Sequence, residues 1–177
     1  MKIKRIFSLL LSVVMIFSMV NVSVFADTTN EITDSITVNV SIVQNGQFVS
    51  GKDDTKLAYI PVTVKDINND GYDIDDALYA AHELYYDNGA AKGYASIGEG
   101  TSKFIKTLWG DSSGNFGYCV NNQSAWSLSD KVKDNDSVYA FIYQDTTTWS
   151  DAYTYFCDND AQISGGAALK VIKKACL

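Results

Sequence analysis

Apolar and polar residues alternate along Ile36-Thr37-Val38-Asn39-Val40-Ser41-Ile42, the period of two that marks a strand with one face in a core. Asn45-Gly46 follows, a pair that readily takes the left-handed backbone of a tight hairpin, and Phe48-Val49 resumes the apolar pattern. A polar break at 51–54 precedes residues 57–64 (LAYIPVTV), a second main strand. Pro61 has no N–H for a ladder, which assigns that strand to an edge or a bulge. The period then lengthens. Ile74, Leu78, Ala81 and Tyr85 fall at i, i+4, i+7 and i+11, predicting an amphipathic helix of about three turns that Asp87-Asn88-Gly89 ends. Residues 87–100, rich in Gly and Ala, read as loop. A strand over 104–109 is followed by the turn-forming 111–115 (DSSGN), and 116–120 (FGYCV) is expected to return as its partner. Asn121-Asn122 turns the chain again. Residues 137–143 (SVYAFIY) form the clearest late strand, and 152–156 and 168–172 close the series. About seven short strands with one substantial helix predict an α+β domain, a sheet with the helix packed on one face.

The start of the chain follows a different pattern. Lys2, Lys4 and Arg5 precede an apolar run from Ile6 to Val20, and Val24-Phe25-Ala26 presents small residues at the −3 and −1 positions of a cleavage site. Residues 1–26 therefore read as a secretory signal peptide. Residues 27–56 read as a polar leader with the first hairpin, and 57–177 as the main domain. No later run is long enough to span a bilayer, so the mature chain is expected to be exported without a transmembrane anchor.

Removing the signal changes the charge. The whole chain has 14 Lys and Arg against 21 Asp and Glu, a net charge of −7. The mature part has 11 Lys, no Arg and all 21 acids, a net charge of −10. That balance excludes nucleic acid as a partner, because such binding depends on basic side chains neutralising phosphates. Of the acids, only Glu31, Glu83 and Glu99 are glutamates. Aspartate favours caps, turns and calcium loops over helix interiors.

Five of the acids crowd into residues 66–76, DINNDGYDIDD. Asp66, Asn68 and Asp70 with Gly71 match positions 1, 3, 5 and 6 of a calcium loop, and Tyr72 would offer its carbonyl. The twelfth position falls on Ala77, which has no ligand, so closure is assigned to Asp76, one residue earlier, with Asp75 as substitute. The expected cofactor is structural calcium in a strand–loop–helix site, resembling dockerin-type loops more than a paired EF-hand. The competing assignment for the same residues is a turn in which Asp73 or Asp75 caps the helix.

Other chemistry is sparse. His82, the single histidine, reads as a surface or boundary residue beside the apolar stripe. Cys119, His82 and Asn121 lack any local context for a nucleophile set. No phosphate loop, nucleophile elbow or metalloprotease motif is present, and no catalytic residue is assigned. Cys119, Cys157 and Cys176 allow one internal disulfide, with Cys157–Cys176 favoured, or three reduced thiols. Aromatics are plentiful, with 8 Phe, 11 Tyr and 3 Trp. Trp109, Tyr118 and Trp126 flank turns, where rings can stack on a sugar, a peptide or a flat cofactor.

The stretch from about residue 57 to 156 resembles the DUF4430 domains, which are similar to the C-terminal domain of transcobalamin. Gly117-Tyr118-x-Val120-Asn121 and Asp134-x-Asp136-x-Val138 carry the likeness. Cys119 inside the first of these, and the lack of Ig-like repeats or a wall-sorting tail, depart from it. The resemblance implies a compact β-grasp-like α+β fold in a secreted or surface protein of Gram-positive anaerobes, with no settled activity. The function expected is a non-catalytic, calcium-stabilised binding or adhesion module for an extracellular ligand: a glycan, a protein or a small molecule. The alternatives are a corrinoid-like small-ligand carrier and a hydrolase.

Overall fold

The alternating segment that opens the pattern becomes the spine of the molecule. A computed structural model describes residues 35–148, 150–151, 153–156 and 173–176. The expected signal peptide, residues 27–34, Trp149, Cys157 and the strand expected at 168–172 lie outside them. In chain order the elements are β1 (Ile36–Gln44), β2 (Gln47–Phe48), β3 (Ile60–Val64), α1 (Ile74–Tyr85), α2 (Ala90–Gly93), β4 (Ala95–Ile97), β5 (Phe104–Thr107), β6 (Phe116–Val120), β7 (Gln123–Ser124), β8 (Ser137–Ile142), β9 (Tyr153–Phe156) and β10 (Lys173–Cys176).

β1 has partners on both sides. It pairs antiparallel with β3 along its first half and with β2 at its end. Its other side pairs parallel with β8, Val40 opposite Val138 and Ile42 opposite Ala140. β6 continues the sheet antiparallel to β8, and β7 folds back on β6. The four longest strands of this sheet thus run β3-β1-β8-β6 with a parallel inner pair, the strand order of a β-grasp fold. The fold is α+β. β1, Ile36–Gln44, grouped with the leader on sequence grounds, is central to the sheet. Pro61 lies in β3, which pairs with β1 alone among the described residues, so its missing N–H disturbs no ladder.

One face of the sheet forms the core. Val38, Val40, Ile42, Val62, Val64, Val138 and Ala140 are buried there with Ile74, Ala77, Leu78 and Ala81 of α1. Within α1, the predicted stripe of Ile74, Leu78 and Ala81 is fully buried and Tyr85 packs against its edge. Burial of each large apolar side chain contributes about 1.5–3 kcal/mol. Among the described residues, no helix is long and apolar enough to cross a membrane.

Two expectations change. Residues 87–100 are not only loop: they hold α2 and β4. β5 pairs with β4, not with β6. The physical cause lies at the end of β5, where Trp109 and Gly110 take left-handed backbone (φ 49° and 79°) and Leu108 bridges to Asp111. This two-residue turn reverses the chain at Leu108 and Asp111, before the 111–115 turn on which the expected hairpin depended. Phe116, Tyr118 and Val120 then register against Ile142, Ala140 and Val138, which places apolar residues on one face of both strands.

Candidate functional site

The strand-to-helix junction is a tight turn built on Asp66. Its carboxylate accepts the N–H groups of Asp70 at 3.2 Å and Gly71 at 2.8 Å, and the Asn68 amide donates to Asp70 at 2.9 Å. Asn69 and Gly71 supply the left-handed backbone (φ 60° and 94°) that the turn requires, at the residue types that adopt it at least cost. Asp66, Asn68 and Asp70 are thus brought together. The other expected ligands have separate partners. The Tyr72 carbonyl accepts the Val132 N–H at 3.1 Å. Asp76 completes a capping box: Asp73 accepts the Asp76 N–H at 3.0 Å, while Asp76 accepts the N–H groups of Asp73 and Ile67, each at 3.3 Å. Asp73 is therefore the helix cap. A carboxylate at the third helical position satisfies orphan N–H groups and the positive end of the dipole, the place Asp76 takes here. Among the described residues, no group of three or more His, Cys, Asp or Glu side chains stands in metal-holding geometry.

Two lysines neutralise this acidic end of the helix. Lys103 sits 2.5 Å from Asp75, whose carboxylate also accepts from Tyr94 Oη at 2.6 Å and Ser96 Oγ at 3.2 Å. Lys131 lies 2.8 Å from Asp70 and 2.9 Å from the Gly71 carbonyl, with Asp73 Oδ2 at 3.6 Å. Burial pushes the Asp76 carboxyl up to about 6, reinforced by the nearby Asp73 charge. Burial also raises Asp73, whereas the hydrogen bond from Lys131 holds Asp70 below the usual carboxylate range. Neither lysine was picked out by sequence spacing: Asp73 and Lys131 meet only because the chain bridges there.

His82 is fully buried, not a surface or boundary residue. Its Nε2 accepts the Trp109 N–H at 3.0 Å. That nitrogen therefore carries no proton, and Nδ1–H donates to the Leu78 carbonyl at 2.7 Å. Rings of Tyr94 and Trp109 lie 4.9 and 5.0 Å from the imidazole. Burial lowers its pKa to about 4. Both nitrogens are engaged and the ring is out of solvent, an arrangement that ties β5's end to α1 and leaves no free base. Cys119 is buried in β6.

A separate cleft of about 470 Å³ opens beside β6, lined by Phe104, Phe116, Gly117, Tyr118, Ala125, Trp126, Phe141 and Tyr143, with Ser124 and Asp151 among its polar groups. Of the three aromatics expected to bind a ligand, Tyr118 and Trp126 line it. Trp109 does not; it packs with His82 and, 5.0 Å away and edge-on, with Tyr86. Phe141 lies over Gly117, where a Cβ would stand 2.3 Å from the ring. Tyr139, Phe141 and Tyr143 follow at every second residue, ring centroids 5.6 and 4.9 Å apart. The alternation in SVYAFIY is a signal that would have found Phe141, which the sequence reading did not single out. Phe104 and Phe116, from strands that do not pair, had none.

Trp126 stands at the rim, 88% exposed, on a braced loop. The Asp130 carboxylate accepts the N–H groups of Trp126 at 2.9 Å and Ser127 at 3.4 Å. Leu128 N–H donates to the Lys103 carbonyl at 2.9 Å, and Ser129 Oγ donates to the Gly100 carbonyl at 2.6 Å. Tyr118 is buried, and this burial, with the Asp130 charge, pushes its phenol up to about 12. The phenol stays neutral at physiological pH.

No family model matches the chain, no curated protein is significantly similar to it in sequence, and no solved structure is a significant match. The likeness to DUF4430 domains rests on the quoted residues alone. In the structure, Tyr118 lines the cleft and Asn121 braces the turn before β8, donating to Asp136 at 2.8 Å and accepting the Ser137 N–H at 2.9 Å.

Proposed function

We propose that this protein is an exported, non-catalytic binding module that takes a glycan in the cleft beside β6. The observation that carries the reading is Trp126: a large apolar ring, 88% exposed, on a loop tied down through Asp130, Leu128 and Ser129. An exposed indole leaves apolar area in water at about 25 cal/mol per Å², and a braced backbone removes part of the ordering cost of binding. The aromatic lining offers flat faces for the C–H side of sugar rings, and Ser124 and Asp151 lie among the lining groups. The volume of about 470 Å³ falls within the usual range of ligand pockets.

A glycan array probed with the full mature chain should give discrete positives, and titration of a positive glycan should quench tryptophan fluorescence. Trp126→Ala should weaken binding at least about tenfold, in line with a buried aromatic anchor, while leaving the melting temperature unchanged. An empty array, or equal affinity of Trp126→Ala for a bound glycan, would refute the assignment.

A further inference from the structure

A second hollow, of about 390 Å³, adjoins the aromatic cleft where β8 ends. Its lining is polar, with Asn45, Asp111, Ser113, Asn115, Gln144 and Thr146 beside the last residues of β8. Tyr143 lines both spaces. The 113–115 turn also divides between them: Gly114 lines the cleft, Ser113 and Asn115 the hollow. Hydrogen bonds to the backbone hold this partition. The Asp111 carboxylate accepts the Ser113 N–H at 2.8 Å, and the Asn115 carbonyl accepts the Tyr143 N–H at 2.8 Å. Asp151, which lines the cleft, accepts the N–H groups of Gln144 at 3.0 Å and Asp145 at 2.7 Å. The walls are thus fixed before a ligand arrives, which lowers the ordering cost of binding. The side chains of Asn45, Gln144 and Thr146 are exposed, and none of them makes a hydrogen bond among the described residues.

Resting on the glycan reading of the cleft, we infer that the ligand is a neutral oligosaccharide that crosses Tyr143, with one unit against the aromatic rings and a further unit in the polar hollow. Each volume by itself falls in the range that holds a drug-sized ligand, so a single sugar ring leaves the hollow unused. The two linings suit the two sides of a sugar chain. Rings in the cleft take C–H faces, whereas the amides of Asn45 and Gln144 and the Thr146 hydroxyl both donate to and accept from sugar hydroxyls. Charge narrows the class further. Each lining includes one aspartate, Asp151 in the cleft and Asp111 in the hollow, and among the described residues neither includes a lysine. An anionic sugar would meet like charge there with no counter-ion to offset it.

The test is calorimetric titration of the full mature chain with neutral α-1,4-glucan, β-1,4-glucan, chitin and xylan oligosaccharides of one to six units, and with oligogalacturonides as the acidic counterpart. Within a series that binds, affinity should rise at least about tenfold from the shortest binder to the length that reaches the hollow, the worth of one or two net hydrogen bonds. Replacing Gln144→Ala and Thr146→Ala together should abolish that gain. The shortest binder should keep its wild-type affinity and the protein its melting temperature, since both side chains are exposed. Oligogalacturonides should bind at least about tenfold more weakly than neutral chains of equal length. Affinity independent of length, a gain that survives the double variant, or equal binding of the acidic series overturns the inference. In each of these cases weaker binding by Trp126→Ala still upholds the cleft. No binding by any neutral series also overturns the inference, and an empty glycan array beside it overturns the glycan reading as well.

Discussion

His82 shows how far one residue's role depends on what surrounds it. A histidine on the rim of an apolar stripe is usually half-wet, yet this one is sealed by Tyr94 and Trp109 and hydrogen-bonded at both nitrogens. The unfolded chain takes up its proton near the ordinary value of 6.5, the folded chain only near 4. As pH falls through that window the unfolded state binds more protons, so His82 lowers stability by up to about 3 kcal/mol between pH 6.5 and 4. Asp76 acts in the opposite sense: its folded value is raised to about 6, so protonation below that pH favours the folded state. In urea unfolding at stepped pH, the stability of the wild type relative to His82→Gln should fall by about 3 kcal/mol on acidification from 6.5 to 4. Parallel pH profiles for the two proteins would contradict a neutral buried imidazole.

At the scale of elements, α1 is specified twice, by its stripe and by its cap. The spacing of Ile74, Leu78 and Ala81 makes it amphipathic, and Asp73 with Asp76 closes its first turn. Asp73→Ala should destabilise the protein by about 1–2 kcal/mol through loss of the cap, read as a lower melting temperature. Asp73→Asn keeps an acceptor oxygen and should lose less. The stripe was legible because a period near 3.6 is local information. The choice between loop ligand and cap for Asp76 was not, because both uses begin with the same Asp-rich spacing. In the structure Asp76 accepts the N–H groups of Ile67 and Asp73 and completes the capping box. Strand existence was legible for β1, β3, β6 and β8, whereas the partner of β5 was not. A short turn at 111–115 predicts a hairpin, but the left-handed pair Trp109-Gly110 turns the chain before that hairpin can form.

For the molecule as a whole, stability should concentrate on the parallel pair at the centre of the sheet. Ile42 is fully buried on β1 and registers with Ala140 of β8. Ile42→Ala should cost about 2–5 kcal/mol in denaturant unfolding. Phe48→Ala, at a residue 42% exposed on the peripheral β2, should stay within about 0.5 kcal/mol. A larger effect at Phe48 than at Ile42 would mean the sheet is not the folding core. The cleft is likewise a property of the whole: Phe104, Phe116, Trp126 and Phe141 come from four separate segments.

The sequence alone determined the alternating strands, the amphipathic helix, the restriction of Pro61 to an edge or a bulge and the acidic turn, because each rests on residue spacing or backbone chemistry within a few positions. Tyr118 and Trp126 were marked by their place beside turns. Only the tertiary structure decided that β1 pairs in parallel with β8, that His82 is buried, that Trp109 leaves the cleft, and that Lys131 reaches Asp70 across the Asp73–Lys131 bridge. These are contacts between distant parts of the chain. They follow from burying one face of a sheet under one helix, a condition that no local pattern encodes.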